Sequence, residues 1–314
     1  MMGESRHNSL FAPTTMGCMS IDVDCAPGPR LVPALASGFP RRFADLGRGA
    51  PSVLWVDGRL PRADETLVAM VGSRSASWKA CGQVTALAAE LADAGYPVVS
   101  GGALGIDAAA HRGALQVGRP TFAVLGCGID VVYPDRHTDL FRDIAANGGL
   151  LSEYPPGEQP RRGQFPARNR LVAALAQVVV VGECRARSGA LITARLAAKL
   201  GRRVCAIPGS PGADGLLTRG LAWPARDAAD IVNALAGVTP APQVDPPGGS
   251  SDSSDGQDST GLRRLLNEGP LTAEEVSVRL GRGLGEVLGL LCEGELEGWV
   301  LRRSGGRFEV HRGH

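Results

Sequence analysis

Lysine is almost missing from this 314-residue chain, which carries it only at Lys79 and Lys199, so arginine holds nearly all the positive charge. Aromatic residues make up only 4% of the sequence, too few for ring stacking to dominate contact with a partner. The apolar bulk comes from Val, Leu and Ala, which favours an α/β fold over a β-sandwich. No apolar run reaches the roughly 18 residues of a membrane span and no secretory h-region is present, so neither insertion nor export is expected. The cysteines, Cys18, Cys25, Cys81, Cys127, Cys184, Cys205 and Cys292, are odd in number and form no CxxC pair. That speaks against a disulfide framework or a zinc site and points to a reducing, cytoplasmic setting. A Walker A string is absent. Gly126-x-Gly128 continues with Val131 where a dinucleotide fingerprint needs glycine, and no acidic residue closes the second strand. No bound cofactor and no metal is expected.

The positive charge that is present is unevenly placed. Residues 66–236 hold 18 Lys+Arg against 13 Asp+Glu, whereas residues 237–314 hold 8 against 12. The surplus is modest, which fits a focused anionic site rather than a polybasic coat. In the same basic region apolar runs at 67–71, 97–100, 120–125, 149–152, 178–182 and 203–207 alternate with helical stretches at about 76–94, 106–116, 138–146, 167–176, 189–200 and 227–236. Runs with little internal alternation, separated by helices, predict a mainly parallel, doubly wound sheet covered on both faces. Residues 1–30 read as a loose terminus, and 31–65 as a lead-in that adds a strand, so the main domain spans 31–236. Residues 237–260, rich in Pro, Gly, Ser and Asp, read as a flexible linker. Periodicity resumes at 261–314 with three helices and a Gly-turned hairpin, the pattern of a winged helix-turn-helix.

The sharpest chemical signal is Phe165-Pro166-Ala167-Arg168-Asn169-Arg170, where two permanent cations and an amide open a short apolar helix. A guanidinium fork fits phosphate oxygens, and a helix start adds free N–H groups. Gly72-Ser73-Arg74 and Arg187-Ser188-Gly189 repeat that design after two other apolar runs, and three such junctions point to a polyphosphate partner. Ser100-Gly101-Gly102-Ala103-Leu104-Gly105 has the glycines from which backbone amides can form an anion nest. A tight turn required by geometry alone, and a buried arginine network, are the plainer readings of these segments. Asp107 and His111, four apart on a helix, are expected to be structural, since no third ligand lies near. Ser73 and Ser188 are expected to cap helices, and Glu153 and Glu183 to orient arginines.

Taken in order, Val71-Gly72-Ser73-Arg74, Ser100 to Asp107 with Ala110-His111, Gly128-x-Asp130-x-x-Tyr133-Pro134, Leu151-Ser152-Glu153-Tyr154, Phe165 to Arg170, Arg187 to Ala190 with Thr193, and Ile207-Pro208-Gly209-Ser210 resemble the DNA-processing protein A family, DprA/Smf. The resemblance implies an extended Rossmann-like domain with a small C-terminal winged-helix domain. It implies a non-enzymatic homodimer that binds single-stranded DNA, shields incoming strands during natural transformation and loads the RecA recombinase. Its contact residues would be Gly72, Ser73, Arg74, Gly101, Gly105, Phe165, Arg168, Asn169, Arg170, Arg187, Ser188 and Gly189. The segment Pro211 to Gly220 is a loose match to the family's usual turn, and the N-terminal helical domain of many members is missing or vestigial. The winged helix carries Glu286 and Glu293 on its presumed reading helix, which favours protein contact, while Arg302, Arg303 and Arg307 keep weak DNA binding in view. The competing class is a nucleoside-monophosphate phosphoribohydrolase similar to the LOG proteins. It would need a Pro-Gly-Gly-x-Gly-Thr-x-x-Glu segment, to which only Ile207-Pro208-Gly209-Ser210-Pro211 comes near. A third reading makes the chain an adaptor working through its winged helix.

Overall fold

Valine-rich segments buried on both faces build the central layer, because β-branched side chains pack well in a sheet that helices cover on each side. The computed structural model describes residues 28–237, 254–296, 299–303 and 306–311. Strand β1 (Arg30–Pro33) and strand β2 (Val53–Gly58) flank a 3-10 segment at Arg41–Gly49. There follow β3 (Val68–Val71), α1 (Trp78–Asp93), β4 (Val98–Ser100), α2 (Ile106–Gln116), β5 (Thr121–Val124), α3 (Thr138–Asn147) and β6 (Gly149–Ser152). The second half is α4 (Gln164–Leu175), β7 (Val178–Val181), α5 (Gly189–Lys199), β8 (Arg203–Ala206), α6 (Pro211–Thr218), β9 (Trp223–Pro224) and α7 (Ala228–Ala236).

These strands form one nine-stranded sheet in the order β1-β2-β6-β5-β4-β3-β7-β8-β9. Strands β3 to β9 pair in parallel, and β2 runs antiparallel to both β6 and β1. The chain winds outward from β3 to β6, then returns through α4 to β7 and winds the other way. That places the topological switch point between β3 and β7, where ligands of open α/β sheets bind. One face packs Leu171, Leu175, Leu191 and Leu196 against the sheet, and the other packs Val84, Leu91, Ile106 and Ile231. Gly95 and Gly201 close α1 and α5 with φ of +89° and +68°, the left-handed ending expected of them.

Two expectations about boundaries change. The lead-in contributes two strands rather than one, and residues 254–260, assigned to the linker, form the first half of helix α8 (Ser254–Asn267). Residues 1–27 and the remaining linker, 238–253, lie outside the described residues. The C-terminal unit continues with β10 (Leu271–Thr272), α9 (Ala273–Leu280), α10 (Leu284–Leu296), β11 (Val300–Arg303) and β12 (Arg307–Val310), in an antiparallel sheet ordered β10-β12-β11. Three helices and a three-stranded antiparallel sheet in this order are consistent with the winged helix-turn-helix expected for 261–314. Its core holds Leu262, Leu266, Val276, Val287, Leu291 and Phe308, and a capping box between Thr272 and Glu275 starts α9. Helix α10, the reading helix in duplex-binding members of this fold, packs on α4, α5 and the 3-10 segment. Gly289 permits the approach, since a Cβ there would stand 3.2 Å from Ile192.

Candidate nucleic-acid interface

The loops leaving β3, β4, β5 and β7 meet the first turn of α4 at one rim of the sheet, and glycines set how closely they pack. Gly105, at φ +75°, has no room for a side chain, because a Cβ would lie 2.1 Å from the Ser73 carbonyl oxygen. A Cβ on Gly101 would lie 2.4 Å from the guanidinium of Arg168. The glycine at 101 therefore makes space for a side chain of the protein itself.

Arg168 is 3% exposed. Its Nη1 donates to the carbonyls of Gly101 and Val124, and its Nε donates to Asn169 Oδ1 at 3.2 Å. Burial lowers its pKa, an effect that nearby Asp107 opposes. Asp107 in turn accepts from the backbone N–H of Gly101 at 3.2 Å and of Ala103 at 3.3 Å. The amides expected to cradle an external anion thus hold the protein's own carboxylate, whose pKa burial pushes upward. Arg170 is also turned inward: Nη2 meets Glu153 Oε1 at 2.5 Å, Nε donates to the Gly49 carbonyl at 3.0 Å and Nη1 to that of Ala167 at 2.9 Å. Of the two readings of this segment, phosphate contact and a buried arginine network, the geometry of both side chains fits the second. Both arginines join the buried network, Arg168 beneath the cleft and Arg170 between α4, β6 and the 3-10 segment, because carbonyls and a carboxylate from distant segments converge on them.

What remains open lies on the β3 and β7 loops. Arg74 is exposed, with its guanidinium carbon 5.0 Å from the centre of the Phe165 ring, and makes no ion pair among the described residues. Phe165 faces Tyr133 at 5.3 Å between ring centres, and Tyr133 is 41% exposed. Arg74, Leu104, Tyr133, Phe165 and, at the buried side, Arg168 line a small open cleft. Across the switch point Arg187 and Gly189 are exposed, and Ser188 stands at the N-cap of α5, although its side chain makes no cap hydrogen bond. Glu183 ties the two loops together: its carbonyl accepts from Ser73 N at 2.7 Å, and its carboxylate accepts from Ser77 N at 3.0 Å and Ser77 Oγ at 2.6 Å. Glu183 therefore orients a serine rather than an arginine, and Ser77, not Ser73, caps α1. Glu153 does hold an arginine, as expected.

Tyr133, Leu104 and Glu183 belong to this rim but not to the expected contact set. An aromatic residue beside proline in a rim loop, in a chain with so few rings, was the available signal for Tyr133. The structural reading of His111 holds. It is buried, its Nδ1 lies 2.8 Å from Thr121 Oγ1, and that hydroxyl donates to the Val98 carbonyl, so Nδ1 carries the proton. Burial, then the neighbouring His137, pushes its pKa down to about 3. Cys127 and Cys205 are buried thiols pushed up to about 11 and about 12 by desolvation, the behaviour of small apolar residues rather than nucleophiles. The wing arginines are paired, Arg302 with Glu295, Arg303 with Glu309 and Arg307 with Glu275. The side chains of Glu286 and Glu293 lie outside the described residues. Among the described residues no group of three His, Cys, Asp or Glu is placed to hold a metal ion, and no helix is long and apolar enough to cross a membrane.

Fold and rim define a doubly wound, Rossmann-like α/β protein with arginines at its switch point and a small C-terminal unit of helices and an antiparallel sheet. Residues 30–236 match the family model described as DNA recombination-mediator protein A. A relative from Mycobacterium tuberculosis (strain H37Rv) is 41% identical over 288 residues, 88% of this chain and 73% of its own. Protein Smf of Escherichia coli K12 is 34% identical over 297 residues, 91% of this chain and 79% of its own. Among solved structures, DNA processing protein A of Streptococcus pneumoniae superposes with a TM-score of 0.61 at 39% identity, over 65% of this chain and 73% of that one. The Helicobacter pylori DNA processing protein A, described for its single-stranded DNA binding mode, gives 0.61 at 32% identity, over 67% of this chain and 97% of that one. The chain belongs to the DNA-processing protein A family, DprA/Smf.

Proposed function

We propose that this protein binds single-stranded DNA by its sugar-phosphate backbone at the rim between β3 and β7, and that it does so without an enzymatic step. The observation that carries the reading is the pair Arg74 and Arg187, exposed on either side of the switch point with no acidic partner among the described residues. Guanidinium groups and helix-start amides contact phosphate without reading sequence. Gly72, Ser73, Arg74, Phe165, Arg187, Ser188 and Gly189 are the contact set. Gly101, Gly105, Arg168, Asn169 and Arg170 hold that set in place. Membership of a DNA-processing family and the single-strand binding of the Helicobacter pylori relative support the same reading. In the cytoplasm, a homodimer would shield incoming strands and pass them to RecA.

The test is a salt-series titration with single- and double-stranded oligonucleotides of mixed and homopolymeric sequence. Single strands are expected to bind more tightly, with similar affinity across sequences and a log–log decline as salt rises. Affinity independent of salt, or preference for duplex, would reject the site. Incubation with nucleoside monophosphates separates the phosphoribohydrolase alternative, since clear release of free base would overturn the binder assignment.

A further inference from the structure

Trp78 is 88% exposed, the opposite of where a large indole normally sits. It opens α1, four residues past Arg74 on the same loop. Its neighbours explain why folding does not require it. Ala76 and Ala80 pack against the core under α1, and Trp78 is not part of any apolar cluster there. Its backbone is nevertheless firmly placed, because Ser77 caps the helix by accepting from Ala80 N at 3.2 Å while both its N–H and its hydroxyl donate to Glu183. Glu183 lies on the loop that carries Arg187, so the start of α1 is laced to the far side of the switch point. The Arg74 guanidinium stands 5.0 Å over the Phe165 ring at the cleft, Trp78 and Lys79 are exposed where the same loop enters α1, and Arg187 is exposed on the loop that Glu183 ties to it. Cations interleaved with exposed rings are the design of single-strand binders, in which phosphates track the positive groups and bases lie on π-faces.

We propose that Trp78 is a stacking platform for a nucleobase, carrying a single strand from the cleft past Arg74 to Arg187. The inference deepens the single-strand reading and rests on it, and it assigns a base contact outside the expected set. An indole accepts any base face, so the contact adds affinity without sequence preference. Trp78 would thus distinguish a strand that has bases from a bare backbone, which the arginines alone cannot do.

The experiment compares a dT oligomer with an abasic deoxyribose-phosphate oligomer of the same length, using the full chain and the variants Trp78→Ala, Trp78→Phe and Arg74→Ala, each checked for fold by circular dichroism. Trp78→Ala is expected to weaken dT binding about tenfold and leave the abasic oligomer unaffected, with Trp78→Phe recovering most of the loss. Arg74→Ala is expected to weaken both. If Trp78→Ala binds dT like the parent while Arg74→Ala weakens both oligomers, stacking is overturned and the strand reading stands. Equal losses on both oligomers in Trp78→Ala would also overturn it, since the ring would then act on the backbone. Loss of self-association in sedimentation with dT affinity intact would assign the ring to a second copy of the chain and likewise overturn it. A parent protein that binds neither oligomer would remove the strand reading and this proposal together.

Discussion

Arg74 and Arg168 line one cleft, yet one is exposed over an aromatic ring and the other is 3% exposed and bound to two backbone carbonyls. The β4–β5 side of the rim is closed on itself: Asp107 takes the glycine-turn amides, Arg168 fills the space Gly101 leaves, and Arg170 is held by Glu153 and Gly49. The β3–β7 side is braced by Glu183 but leaves Arg74, Trp78 and Arg187 outward. A similar arginine-and-glycine grammar thus serves construction on one side and display on the other. The deciding factor is whether buried carbonyls and carboxylates stand within reach, since a desolvated guanidinium persists only with its donors satisfied.

The largest expected break in this comparison is in stability. Arg168→Ala strips the counter-charge and donors from a buried site that still holds Asp107, and should cost about 3–5 kcal/mol by urea denaturation. Arg74→Ala and Arg187→Ala, being exposed, should stay within about 0.5 kcal/mol of the parent. Equal effects in the two groups would erase the distinction between closed and open sides.

A second effect comes from His111. Its folded pKa, about 3, lies below its ordinary value of 6.5, so its contribution to stability is complete above roughly pH 6.5 and is lost as pH falls toward 3. Burial with the like charges of His137, Arg168 and Arg112 sets that direction. Stability should decline by about 1.4 kcal/mol per pH unit below 6.5, or about 2 kcal/mol by pH 5. His111→Gln should flatten the profile measured by thermal melting, and an unchanged profile would place the sensitivity elsewhere.

Gly101→Ala comes next, at about 1–3 kcal/mol, because its methyl would occupy the place of the Arg168 guanidinium. In an Arg168→Ala background most of that cost should vanish. A double-mutant cycle with no coupling would show that the glycine answers to something other than Arg168.

Much of the fold was legible because buried parallel strands and amphipathic helices leave strong periodic traces. Helix 106–116 and strand 149–152 fall where the pattern puts them. Strand β1 was not, since an edge strand of Arg30-Leu31-Val32-Pro33 ends in proline and needs little apolar content. Helix α6 escaped the periodic pattern because Pro211-Gly212-Ala213-Asp214-Gly215 reads as a turn; proline is tolerated at the first helical position, and Gly212 is required where a Cβ would strike Cys184 Sγ at 2.4 Å. At the rim, the sequence located the arginines but not their orientation. The carbonyls that turn Arg168 and Arg170 inward stand 67, 44 and 121 residues away, a separation no local pattern records, whereas Glu153, 17 residues from Arg170, was within reach of the sequence reading.

The smallest change in folding should accompany the most direct test of function. The double variant Arg74→Ala/Arg187→Ala should remain folded, and in a salt series on a dT oligomer its log affinity against log salt should fall less steeply than the parent's by about 1.4, roughly 0.7 for each phosphate of a single strand that an arginine no longer neutralises. An unaltered slope with unaltered affinity would contradict the assignment of the open side as the DNA-gripping surface.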